Sequence, residues 1–194
     1  MSPLRLLAPI ATIALACTLA APAARAADIA LAADGQWNAF AVDGLLNPSL
    51  AWIDDAGAAL DYTFTIATGS IGTLDVVDAV FAGDTFRVTN FGSTLGLTSA
   101  VPLGDIGSAA DLGTDYDAAF GDAAFSHASF QLAAGTYRIA GFLAQSLLID
   151  GEQLDATAGA LRLSVAPVPE PSTYALLAAG LFAVGYLTRR RRDA

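Results

Sequence analysis

Period-two alternation, punctuated by glycine and aspartate, constrains the fold of this chain more than any other feature. In Tyr62-Thr63-Phe64-Thr65-Ile66 the large apolar residues fall on one face and the threonines on the other. Ser129-Phe130-Gln131-Leu132 and Thr136-Tyr137-Arg138-Ile139 alternate likewise, joined by Ala133-Ala134-Gly135. Thr85 to Thr89, Leu95 to Thr98 after a turn near Gly92-Ser93, and Leu161 to Val165 read as further strands. Asp150-Gly151 is a hairpin signal between Leu147-Leu148-Ile149 and Gln153-Leu154. A strand with one apolar face must bury that face against a second layer, so the pattern predicts an all-β antiparallel sandwich. Jelly-roll and immunoglobulin-like windings both fit. Only Thr114 to Phe125, rich in alanine and aspartate, has the composition of a short helix.

The two ends delimit this body. Arg5, the apolar run Leu6 to Leu19 and the small-x-small triplet Ala24-Arg25-Ala26 follow one another as the three parts of a secretory signal peptide. Residues 1–26 are therefore expected to be removed by signal peptidase, leaving Ala27 as the first mature residue. Cys17 is the only cysteine and lies inside the apolar run. The position three residues before it is Ala14, not the large aliphatic residue that lipoprotein processing favours. The mature chain then has neither disulfide nor thiolate ligand, and its stability must come from its core. Residues 27–166, a stretch of 140, are long enough to bury one.

Charge narrows the function. The body holds 17 acids against Arg87, Arg138 and Arg162, a net of −14, and lysine is absent throughout. Such a surface repels phosphate backbones, so no nucleic-acid partner is expected. His127 is the only histidine, and its neighbour Ser126 points to the opposite face if this segment is a strand. No Gly-x-Ser-x-Gly elbow is present. The expectation is no enzyme, no catalytic residue, no cofactor and no metal.

Two uses of the acids nevertheless deserve a place. Asp54-Asp55 and Asp115-x-Asp117 are carboxylates close in sequence, the minimum for a glycosidase pair. Asp111, Asp115, Asp117 and Asp122 occupy positions 1, 5, 7 and 12 of a twelve-residue calcium loop, but Tyr116 stands where that loop needs glycine. Trp37 and Trp52 could stack on sugar rings, although core burial suits either indole better.

The C-terminus is built differently. Residues 167–173 form a linker in which Pro169 and Pro171, on either side of Glu170, bias their neighbours to extended conformations and are expected to keep Val168 to Ser172 out of the following helix. An apolar run from Tyr174 to Leu187 follows, 14 residues or about 21 Å as a helix. Flanking Ser172, Thr173 and Thr188 lengthen it toward the bilayer core, so residues 174–188 are predicted to be a transmembrane helix. Arg189, Arg190, Arg191 and Arg192 make 189–194 a cytoplasmic stop.

Motif, span and basic stop in that order closely resemble the PEP-CTERM sorting tail of Gram-negative bacteria, which is read by the membrane protease-transpeptidase exosortase. The body stretch Leu74 to Ser99, followed by Asp117 to Gly135, is also similar to a segment of other PEP-CTERM proteins, with no activity attached to it. The resemblance implies cleavage near Pro169-Glu170-Pro171 after transient anchoring in the inner membrane. The body would then reach the cell surface or the medium. Such systems accompany exopolysaccharide production, which implies a non-catalytic protein of the exopolysaccharide or biofilm matrix. An extracellular carbohydrate-binding module or polysaccharide hydrolase is the alternative.

Overall fold

The computed structural model describes residues 27–168, 176–182 and 189. Within residues 27–167, twelve strands and one short α-helix follow in order: β1 (Ala27–Ala30), β2 (Asn38–Asp43), β3 (Leu60–Ile66), β4 (Ser70–Phe81), β5 (Thr85–Asn90), β6 (Ser93–Leu97), β7 (Asp111–Gly113), α1 (Tyr116–Gly121), β8 (His127–Leu132), β9 (Gly135–Gln145), β10 (Leu148–Ile149), β11 (Glu152–Gln153) and β12 (Ala156–Pro167). Sheet I runs β1-β3-β9-β5-β6. Sheet II runs β2-β12-β4, and the far edge of β4 is shared by β8 along Gly72–Val77 and β7 at Val80 and Phe81. The antiparallel expectation holds for every strand pairing but one, since β1 runs parallel to β3.

Alternation places the core between the sheets. Leu60, Tyr62, Phe64 and Ile66 of β3, Phe86 and Val88 of β5, and Ile139 of β9 meet Phe40, Val42, Leu74, Val76, Leu161 and Leu163 of sheet II. Trp52, in the loop before β3, is fully buried among them and stacks on Phe40 at 3.9 Å between centroids. Its indole lies where a side chain at position 141 would be: a Cβ on Gly141 would come within 2.1 Å of the ring. The Tyr62 hydroxyl donates to the Ala39 carbonyl across the sandwich at 2.7 Å, and burial pushes its pKa up.

The strand that alternation marks least, β4, is one of the two longest. β4 buries both faces over most of its length because α1 covers it from outside. Val77, Ala82, Ala119, Phe125 and Ala160 form that second, smaller core. The crossover from β8 to β9 leaves sheet II for sheet I at Ala133-Ala134, whereas Asp150 and Gly151 close the β10–β11 hairpin with φ of 53° and 86°. Both central residues of that turn are left-handed, as a two-residue hairpin requires.

Candidate functional site

The most perturbed ionisable group lies where β4 ends. Asp78 follows Leu74 and Val76 on the inward face and is completely buried. The register shifts between Val80 and Phe81, and Val80 adopts φ of 67°, a left-handed conformation that a β-branched residue rarely takes. The chain then turns through Gly83 so that the N–H groups of Gly83 and Asp84 both donate to Asp78 Oδ2 at 3.1 Å. Asp78 Oδ1 has no partner among the described residues. Burial above all, and then the nearby charge of Asp84, push the Asp78 carboxyl up to about 8, against the pull of the backbone donors.

Asp84 is tied in three directions. Ser146 Oγ donates to its Oδ1 at 2.7 Å, the Leu147 N–H donates at 2.9 Å, and Thr157 Oγ1 donates to Oδ2. One carboxylate thus fastens the β4–β5 turn to the end of β9 and to β12. It also borders an apolar depression of about 380 Å³ lined by Ile106, Leu147 and Leu154. Chemically the pair is a buried, protonated acid beside a carboxylate whose hydrogen bonds are spent within the fold. Asp78 itself has no exposed surface, whereas Asp84 lies at the margin of that depression. Sequence reasoning missed it; the signal was an acid inside the apolar run Val76-Val77-Asp78-Ala79-Val80-Phe81.

The acids singled out in the sequence are dispersed into local work. Asp54 accepts from the N–H groups of Ala56 and Ala58 at 2.9 Å and closes a turn. Asp111 accepts from the Gly113 N–H, Asp115 caps α1 through the Ala118 N–H, and Asp122 accepts from the Ala124 N–H. Asp117 instead accepts from Trp37 Nε1 at 3.0 Å and from Arg162 at 2.8 Å. The four loop acids do not converge. Among the described residues, no three His, Cys, Asp or Glu side chains gather in a way that could hold a metal ion. His127 opens β8 half-buried, with Nδ1 3.0 Å from the Phe125 carbonyl oxygen, and Ser126 turns away to donate to Ser99.

The outer faces of the two sheets differ sharply. On sheet II, Ser129, Asp75 and Arg162 form one row across β8, β4 and β12. Arg162 bonds Asp75 at 3.0 Å and Asp117 at 2.8 Å, and its guanidinium lies 4.3 Å from the Trp37 ring centre and 5.3 Å from that of Phe120. That cluster clamps α1 onto the sheet. Trp52 is a core residue, whereas Trp37 is half-buried in this outer layer.

On sheet I the outer face is bare. Arg138 bonds Asp61 at 2.6 Å and Asp28 at 3.1 Å, and Arg87 lies 5.0 Å from the centre of the Phe142 ring. Asp61, Thr89, Phe91, Arg138, Ala140 and Phe142 line a depression of about 370 Å³. Phe91 occupies the turn between β5 and β6 with φ of 47°, followed by Gly92 at 77°. Asparagine or glycine suits the first of these positions; a bulky residue there costs roughly 1–2 kcal/mol. Phe91 recovers little of that by burial, being 62% exposed. The sequence signal was Asn90-Phe91-Gly92-Ser93, a hairpin turn with an aromatic where a small residue is usual.

Beyond Pro167, Pro169, Glu170 and Pro171 lie outside the described residues, as do Arg190, Arg191, Arg192, Ala24 and Ala26 and most of the predicted span 174–188. Residues 176–182 are helical and exposed, Arg189 is exposed, and no helix among the described residues is long and apolar enough to cross a membrane. Fold and termini together define an all-β domain followed by a compositionally separate C-terminal segment. Residues 167–192 of that segment match the family model of the PEP-CTERM protein-sorting motif, so the chain carries this motif and is an exosortase-targeted, exported protein. The match covers the tail and assigns the body nothing. No curated protein matches the sequence. Among solved structures, the pre-peptidase C-terminal domain of a collagenase from Bacillus anthracis is 12% identical, with a TM-score of 0.38, over 72% of this chain and 95% of that one. A likeness at that level carries no argument about this protein.

Proposed function

We propose that the chain delivers a non-catalytic β-sandwich to the cell surface, where it is a component of the exopolysaccharide matrix. The observation that carries the reading is the sorting motif over residues 167–192. Under it, signal peptidase removes 1–26 and the segment 174–188 anchors the chain transiently through the Arg189–Arg192 stop. Exosortase then cuts near Pro169-Glu170-Pro171. The dispersal of the acids singled out above supports the non-catalytic part: they cap, close turns or pair with arginine, and Asp78, the acid with a raised pKa, is fully buried.

Replacing Glu170 with alanine leaves the apolar run intact, so the variant should accumulate as a signal-cleaved membrane form. Normal release of that variant would reduce the tail to a plain anchor. A turnover assay of the full chain on polysaccharides separates this reading from the hydrolase alternative: sustained release of reducing ends would make the body an enzyme.

A further inference from the structure

Phe91 is the residue the fold explains least. Its left-handed backbone and its exposure both argue that a smaller residue would serve the hairpin better. The surroundings give it a use. Thr89 and Ala140 are register partners on β5 and β9, and their small side chains form the floor of a trough across sheet I. Phe142 stands at one end of that floor and Phe91 with Arg138 at the other, while Asp61 on β3 closes the side. Residues 138 and 142 are four positions apart on β9, about 13 Å along the strand. Two aromatic rings, one of them backed by Arg87, thus flank a shallow floor whose rim offers a carboxylate and a guanidinium already fixed by each other.

A sugar ring has the matching chemistry: apolar C–H faces for the phenyl rings and hydroxyls for the carboxylate and guanidinium. Charge narrows the class. Around the trough Asp28 and Asp61 are balanced by Arg138 and by Arg87, which lies on the Phe142 ring, and the body as a whole carries a net −14. A uronate or sulfated chain would be repelled. A lysine-rich partner is the competing occupant that this net charge would attract, and polylysine is therefore an arm of the test. We infer that the trough between Phe91 and Phe142 binds a short stretch of a neutral hexose polysaccharide, by stacking on the two rings and hydrogen bonding to Asp61 and Arg138. The inference rests on the matrix reading above for its setting, though its geometry is independent of it.

The test is a calorimetric titration of the full signal-cleaved chain in detergent with maltohexaose, cellohexaose and laminarihexaose. Hexagalacturonate and polylysine serve as the charged controls. At least one neutral hexamer should bind saturably, and Phe91→Asn should weaken it at least tenfold while the melting temperature holds or rises. Phe142→Ala should weaken it by a similar factor. Binding confined to a charged control, no binding of any neutral hexamer, or unchanged affinity in Phe91→Asn would overturn the inference. Co-sedimentation with the cell's own matrix is scored separately. If Phe91→Asn keeps its affinity while the protein still sediments with matrix, the trough is wrong and the matrix reading stands. If the protein does not sediment with matrix, that reading falls whatever the hexamers do.

Discussion

Sheets I and II each place one arginine among two aspartates on the outer face, and use it to opposite ends. On sheet II, Arg162 sits under Trp37 and Phe120 and holds α1 against β4 and β12, so its charges and rings are consumed in packing. On sheet I, Arg138 and its two acids are covered by no helix among the described residues, and Phe91, which lines the same depression, is largely exposed in a backbone conformation it disfavours. The same cross-strand chemistry thus seals one face and leaves the other furnished but open. A third set of acids, Asp78 and Asp84, pairs with no arginine among the described residues: burial raises the pKa of Asp78, and Asp84 is held by hydrogen bonds from Ser146, Leu147 and Thr157.

The comparison breaks most readily where the cation is missing. Asp78 keeps its proton in the folded protein up to about 8, whereas an unfolded aspartate loses it near 4. The folded chain therefore binds more protons than the unfolded one across that window. Stability from this group should be full below pH 4 and fall as pH rises to 8, by up to about 1.4 kcal/mol per unit. Asp78→Asn mimics the protonated form and should flatten the decline, as urea unfolding from pH 4 to 9 would reveal. Parallel curves for the two proteins would mean that Asp78 is ionised in the fold.

A smaller effect separates the two arginines. Arg162→Ala leaves the buried Asp75 without its cation and unstacks Trp37, a loss of about 2–3 kcal/mol. Arg138→Ala, on the open face, should cost about 1 kcal/mol or less. Equal losses by urea denaturation would erase the distinction between a sealed and an open face. The smallest effect expected is a gain. Phe91→Gly relieves the left-handed strain and should raise stability by a few tenths to about 1 kcal/mol, read as a modest rise in melting temperature. A loss of stability would show that Phe91 serves the fold after all.

Much of this architecture is written in local pattern. The alternation of Tyr62 to Ile66 and Leu161 to Val165 marks β3 and β12, and Asp150-Gly151 marks the β10–β11 turn, because one buried face and a left-handed turn each leave a residue signature. β4 left none, since α1 covers its second face and erases the period. Which sheet each strand joins depends on crossovers such as β8 to β9, and side-chain alternation does not encode them. The same holds for winding, whether jelly-roll or immunoglobulin-like. The sites divide likewise. The sorting motif is contiguous and legible, whereas Asp84 reaches Ser146 and Thr157, 62 and 73 residues away, and Phe91 and Phe142 border one depression only because β5 lies beside β9.

The central claim is that this chain is an exosortase-processed export, and the mass of the mature protein tests it most directly. Intact mass spectrometry and terminal sequencing of the protein from its native cell surface or medium should find Ala27 at the N-terminus. The C-terminus should lie at or near Pro169-Glu170-Pro171, with the apolar run and Arg189 to Arg192 gone. A mature protein that still ends in Arg189-Arg190-Arg191-Arg192-Asp193-Ala194 would contradict the account.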